Sequence, residues 1–142
     1  MLQVKHLLEQ KGSQVFSIGP DEPVFTAIQA MAERGIGALP VVRDGQLVGM
    51  ISERDYARKV FLMGHSSRDT MVREIMSEKV ITVAPEDTVE SCMRRCTDNR
   101  IRHLPVLEQG TMIGLVSIGD LVKAVIDEQS QQIEHLQSYI TG

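Results

Sequence analysis

Tryptophan is absent from this chain of 142 residues, and Phe and Tyr together make only 4% of it. A flat ring bound here would rest mostly between aliphatic side chains and backbone. The two cysteines, Cys92 and Cys96, do not make a secreted disulfide framework. No apolar run is long enough to span a membrane. The start, Met1-Leu2-Gln3-Val4-Lys5-His6, has neither an apolar signal core nor transit-peptide character. A cytoplasmic protein without a membrane partner is expected. A basic surplus is missing too. The net charge of −4 argues against duplex nucleic acid, whose partners present a basic face, while leaving room for a local pocket for one small anion. No Gly-x-Gly-x-x-Gly opens a helix after a strand and there is no Walker A loop, so a Rossmann or P-loop site is unsupported.

What the chain does have is an internal repeat, which must be sought before elements are assigned. Pro40 aligns with Pro105 at an offset of 65 residues. At that offset, without a gap, Pro20 meets Pro85, Val24 meets Val89 and Ile36 meets Ile101. Leu39-Pro40-Val41 meets Leu104-Pro105-Val106, and Gly45, Gly49, Ser52 and Asp55 meet Gly110, Gly114, Ser117 and Asp120.

Each unit reads β-α-β-β-α. Phe16-Ser17-Ile18 and Val80-Ile81-Thr82-Val83 are short strands stopped by Pro20 and Pro85. Val24, Ile28 and Met31, then Val89, Cys92, Met93 and Cys96, recur at helical spacing, with Glu22 and Asp87 near the helix starts. Leu-Pro-Val, a turn at Arg43-Asp44-Gly45 or Glu108-Gln109-Gly110, and an apolar strand form a hairpin. A second helix starts at Glu53 or Ile118. One such unit is too small to bury its own faces, and two packed together would create clefts related by a pseudo-two-fold axis. The expected spans are 1–62 for repeat 1 with a lead-in helix, 63–70 for a linker, 71–127 for repeat 2 and 128–142 for a C-terminal helix. In that last helix Ile126, Gln129, Ile133, Leu136 and Ile140 are spaced as a heptad seam with one polar position, open to packing on its own domain or to self-association.

The informative chemistry lies where the hairpin enters the second helix, in Gly49-Met50-Ile51-Ser52-Glu53-Arg54-Asp55 and Gly114-Leu115-Val116-Ser117-Ile118-Gly119-Asp120. Ser followed by an acid three residues on is a capping box that needs no ligand. The same geometry also suits a nucleotide. A helix start offers free N–H groups to phosphate, a carboxylate matches the two hydroxyls of a ribose, and Ser serves either. Just before Leu-Pro-Val stand Gly37-Ala38 in one repeat and Arg102-His103 in the other. Arg102 and His103 suit phosphate; Gly37 and Ala38 leave room for backbone to approach a ring. Arg54 stands beside its Asp where repeat 2 has Gly119, so the two sites are chemically unequal.

With the doubled Leu-Pro-Val and Gly-x-x-Ser-x-x-Asp, Ser-Glu-Arg-Asp-Tyr-Ala-Arg-Lys at Ser52 to Lys59, Arg-Ile-Arg-His-Leu-Pro-Val at Arg100 to Val106, and the ending Tyr139-Ile140-Thr141-Gly142, the chain closely resembles a stand-alone tandem CBS-domain protein over nearly its whole length. The resemblance implies an α+β (mixed α/β) fold of two repeats packed as one CBS pair. It implies a regulatory module that binds AMP, ADP, ATP, NAD(H) or S-adenosylmethionine between the repeats. Asp55 and Asp120 would hold the ribose, Ser52 and Ser117 would supply the hydroxyl, and the backbone of Ser17-Ile18 and Thr82-Val83 would flank the adenine. It also implies disc-shaped homodimers. Many members carry Thr where this chain has Ser52 and Ser117.

No catalytic residue or metal site is expected. Cys92 and Cys96 could ligate a metal with His103, but they continue the apolar stripe of Val89 and Met93 and read as core. His6, His65 and His135 are scattered and read as solvated. The other readings are a nucleotide-processing enzyme of unrecognised type and a dimeric scaffold that needs no ligand. The downstream protein partner is not named by the sequence.

Overall fold

The computed structural model describes residues 2–12 and 14–141. Met1, Ser13 and Gly142, which fall within the expected spans of repeat 1 and the C-terminal helix, lie outside the described residues. In chain order the elements are α1 (Val4–Lys11), α2 (Val24–Arg34), β1 (Ala38–Arg43), β2 (Gln46–Ser52) and α3 (Glu53–Tyr56), which runs on as a π-helical turn (Ala57–Phe61). Then follow α4 (Val72–Ile75), α5 (Val89–Asn99), β3 (His103–Glu108), β4 (Thr111–Ser117) and α6 (Ile118–Thr141). The strands form two antiparallel hairpins, β1 with β2 and β3 with β4.

The chain gathers into two compact units that are not continuous in sequence. One holds Val15–Ile81 and the tip Gly110–Met112. The other holds the N-terminal stretch through Gln14, Thr82–Gln109 and everything from Ile113 on.

In the first of these, Glu22 Oε2 accepts the Gly19 N–H at 3.0 Å and closes the turn ahead of α2. Val24, Ala27 and Met31 recur on one face of α2 and are buried. Gly35, with φ of 64°, ends the helix in the left-handed conformation that glycine adopts without cost. The hairpin turns on Asp44 and Gly45, with φ of 50° and 78°, so the strands meet through a two-residue turn with Arg43 opposite Gln46. The register shifts between Val41 and Val42, where one extra residue of β2 bulges. Leu39, Val41, Ile51 and Val60 pack with the α2 face in one core.

The leading strand expected at residues 16–18 is reduced to one parallel bridge. Ile18 donates to Pro40 O at 3.0 Å and accepts from Val42 N–H at 2.9 Å. Its counterpart Val83 bonds Pro105 O and Leu107 N–H in the same way, at 3.0 and 2.9 Å. The prolines two residues on, Pro20 and Pro85, turn the chain away before a second pair of bonds can form.

Packing crosses the sequence order. The lead-in helix α1 packs with the elements of repeat 2, and α4 packs with those of repeat 1. Val72 N–H donates to Glu22 O and Val24 N–H to Thr70 O, while Met50 and Ser77 exchange both backbone bonds. Val4 N–H likewise donates to Asp87 O, and Val89 N–H to Leu2 O. In each case an extended residue before the short helix pairs beside the start of the long one, as Pro23 with Met71 and Gln3 with Thr88. Val4 and Val72 end fully buried.

The two motif glycines are where these segments come closest. A Cβ on Gly49 would lie 2.7 Å from Met76 Sδ and 2.9 Å from the Ser77 carbonyl oxygen. On Gly114 its three nearest neighbours would all be atoms of the Leu8 side chain, Cδ2 at 2.5 Å. Backbone cannot swing aside, whereas a leucine can change rotamer. Gly49→Ala is therefore expected to destabilise by about 1–3 kcal/mol, and Gly114→Ala by less. Urea midpoints of the two variants measure the order; equal losses would contradict it.

Candidate functional site

Each unit brings together the residues singled out in one repeat. In the first, Ala38 pairs with Ser52 across the hairpin, and Glu53 N–H donates to Gly37 O at 3.0 Å. The segment Gly37-Ala38 thus lies against the start of α3. Ile18 sits on the same strand at Val41, buried, with Ser17 exposed beside it. In the second unit Ile118 N–H donates to Arg102 O at 2.8 Å, and Val83 bridges Val106. Arg102 is exposed, and His103 and Thr82 are half-buried.

Both capping boxes are built. The Asp55 carboxylate oxygen Oδ2 accepts from Ser52 N–H at 2.9 Å and from Ser52 Oγ at 3.0 Å, and Asp55 N–H returns a bond to Ser52 Oγ at 3.1 Å. Asp120 Oδ2 accepts from Ser117 N–H at 2.8 Å, and Asp120 N–H donates to Ser117 Oγ at 3.1 Å. Capping does not exhaust the carboxylates, since each has about four lone-pair positions.

Each carboxylate also carries a lysine that the sequence reading did not include. Lys59 Nζ lies 3.4 Å from Asp55 Oδ1 and donates to Ile75 O at 2.8 Å. Its spacing of four from Asp55 on a helix is a legible signal. Lys11 Nζ reaches Asp120 Oδ2 at 2.6 Å and Leu115 O at 2.7 Å. Nothing local in the sequence points from α1 to Asp120. A third addition is Arg95, whose Nη1 donates to Thr82 O at 2.9 Å and to Asp87 Oδ2 at 3.1 Å. The corresponding residue of repeat 1 is Ala30, so the two sites differ in charge here as well as at Arg54.

Burial pushes the Asp120 carboxyl up. The Lys11 hydrogen bond, the Ser117 N–H and the Lys11 charge outweigh it and hold the group below its ordinary value. Burial raises the Cys92 thiol to about 11, with the Asp87 charge adding to it against Arg95, and raises Cys96 too. Both thiols are buried in the core, as their place on the α5 stripe predicts, and stay protonated at neutral pH. Among the described residues no group of three His, Cys, Asp or Glu side chains is placed to hold a metal. His65 and His135 are exposed, but His6 is half-buried and accepts the Gln3 N–H at the start of α1.

Fold and site together define a class: a tandem β-α-β-β-α module with a polar corner at the equivalent place in each repeat. The CBS-domain profile matches residues 10–61 and 72–127, and the chain belongs to the CBS-domain family. It is 47% identical over 127 residues to a mitochondrial CBS domain-containing protein of Arabidopsis thaliana, covering 86% of this chain and 62% of that protein's length. A crystal structure of a CBS domain superposes with a TM-score of 0.84 at 52% identity, over 87% of this chain and 97% of that one. A protein with CBS domains from Burkholderia ambifaria, described in terms of signal transduction, gives 0.86 at 47% identity over 89% and 96%. The chain carries a CBS pair, a type of module that is generally regulatory. No helix among the described residues is long and apolar enough to cross a membrane.

A carboxyl held below its ordinary value stabilises the fold fully above that value, about 3.9, and the gain is lost as pH falls through the lower folded value. Lys11→Ala is expected to cost about 0.2–1 kcal/mol at neutral pH, since the pair is partly exposed. Its stability should converge on that of the parent in strong acid. Unfolding measured across pH checks this; a constant gap would mean that Lys11 acts by packing alone.

Proposed function

We propose that the protein is a cytoplasmic, homodimeric sensor that binds adenine nucleotide at two unequal sites and signals through altered packing to a downstream protein. AMP is the simplest ligand; ADP, ATP and NAD(H) share the adenosyl part. The observation that carries this reading is the doubled corner: a capped helix start, a carboxylate with spare acceptor positions, and a flanking Gly37-Ala38 or Arg102-His103 segment, all at one repeat offset. Asp55 and Asp120 would hold ribose hydroxyls, with Ser52 and Ser117 beside them. The backbone of Ser17-Ile18 and Thr82-Val83 would flank adenine. Lys11, Arg102 and His103 favour a phosphate-bearing ligand at the second corner; Arg54 and Lys59 supply charge at the first. A ligand moves the equilibrium only by as much as it prefers one packing over another.

A thermal-shift panel of AMP, ADP, ATP, NAD, NADH and S-adenosylmethionine tests this. A true ligand at a hundred times its Kd stabilises by about 2.7 kcal/mol and is recovered unchanged. No shift with any member would sink the sensor reading, and steady consumption of nucleotide would favour an enzyme. Asp55→Asn and Asp120→Asn separate capping from ligand contact, because the amide oxygen can keep the cap. Each should weaken its own site about tenfold, roughly the loss of one charged hydrogen bond; the unliganded melting temperature should change little for Asp55→Asn, while Asp120→Asn also loses the Lys11 pair, worth about 0.2–1 kcal/mol. Unchanged affinity in both would leave the two carboxylates as caps alone.

A further inference from the structure

The second helices of the two repeats begin alike and end differently. In repeat 1 the helix widens into a π turn and stops at Phe61. In repeat 2 it continues as α6 for 24 residues, about 36 Å, beyond the CBS-domain match that ends at residue 127. The first part of α6 is anchored: Leu121 is fully buried, and Ala124, Asp127, Glu128 and Gln131 face a groove shared with α1. From Gln129 to Ile140 every residue is exposed. An isolated helix of this length is marginal in water. Apart from Tyr139, the exposed large apolar residues fall on one face. Ile126, Ile133, Leu136 and Ile140 are between 55% and 83% exposed and share one stripe with Val122 and Gln129, away from the α1 groove.

The identity of the stripe residues selects the occupant. With Ile126, Ile133 and Ile140 at heptad position a, position d holds Val122, Gln129 and Leu136. Among parallel coils, β-branched residues at a with Leu at d, a place taken here by Leu136, favour two strands. The positions that flank the seam are Lys123, Ser130 and Gln137 on one side and Val125, Gln132 and Tyr139 on the other. The acids Asp127, Glu128 and Glu134 all lie outside it. A second copy therefore brings no pair of like charges together across the seam, whereas a partner selected by charge would find almost none to read. Gln129 adds a register requirement. In parallel register its amide meets its own copy; a slip by one heptad would bury it unpaired against Val122 or Leu136, and reversal against isoleucine.

We infer that α6 is a dimerisation helix whose segment from residue 126 on pairs with the same segment of a second copy, parallel and in register. The inference rests on the self-association proposed above and assigns it a surface, independently of any nucleotide. Sedimentation equilibrium of the full chain across a concentration series should give a dimer. Ile133→Glu with Leu136→Glu should halve the apparent mass at the same concentrations, with near-unchanged thermal unfolding of the remainder. Glu134→Lys, off the seam, should leave the dimer intact. Ile126→Cys and Ile140→Cys, made singly, should each cross-link to its own copy on oxidation, since the native thiols are buried; an antiparallel pair could not bring both into contact. A monomeric parent overturns this inference and the homodimer reading together. A dimer that survives the double substitution overturns only the coil and leaves self-association to another face. Cross-linking at just one of the two positions overturns the parallel register.

Discussion

One short interaction fixes where everything else in each repeat can go: a serine that ends a strand and bonds an aspartate three residues into the next helix. The hairpin fixes Ser52 opposite Ala38, and the cap fixes the direction in which α3 leaves. The next amide, Glu53 N–H, then finds its acceptor at Gly37. Ser117, Ile118 and Arg102 repeat the arrangement. A bonded carboxylate at a helix start would be worth about 1 kcal/mol for the cap alone. Its structural consequence is larger, because it holds two chain crossings and a helix start within a few ångströms.

That arrangement explains why the bland and the functional readings of the motif do not compete. A capping box uses one face of the carboxylate and leaves the other available to hydroxyl donors. The lysines are the point of tension. Lys11 and Lys59 occupy acceptor positions that a ribose would also use, and both are partly solvated, so little free energy stands in the way of their moving aside. Lys11 comes from α1 and bonds β4 and α6 through one ammonium group, so a ligand at Asp120 would be felt at the lead-in helix. Lys59 shares its helix with Asp55 and ties it to Ile75 at the end of α4. In both repeats, the carboxylate is thereby linked to the short helix delivered from elsewhere in the chain.

Much of this was readable in the sequence, and the parts that were not share a cause. The repeat offset, both hairpins, the helix starts at Glu53 and Ile118 and the core role of Cys92 and Cys96 all rest on periodicity, turn residues or spacing within a few residues. The candidate residues of each repeat stand out as a set because the repeat presents them twice. The leading strands were over-read, since Phe16-Ser17-Ile18 has strand composition while Pro20 permits only one bridge. The exchange of α1 and α4 had no local signal: Val4 and Val72 look like the start of their own repeats, and only tertiary pairing assigns each to the other. Lys11 was invisible for the same reason. Arg100 is a related case, a non-glycine at φ of 54° where repeat 1 has Gly35, so a helix end held by context lacks the residue that would announce it.

The two repeats have thus kept the corner and diverged around it. Capping, the tight hairpin turn and the close approach at Gly49 and Gly114 are common to both, because each is needed to place a helix start against a strand end. The positions that differ surround that corner: Gly37-Ala38 against Arg102-His103, Arg54 against Gly119, Ala30 against Arg95, a π turn ending at Phe61 against a helix running to Thr141. These differences in charge, side-chain size and helix length make the two halves chemically distinct. A symmetric pair of sites could respond only to how much ligand is present. If the two corners bind as proposed, an asymmetric pair, with the longer helix on the half whose carboxylate is held by Lys11, would give one corner a more direct link to α6 than the other.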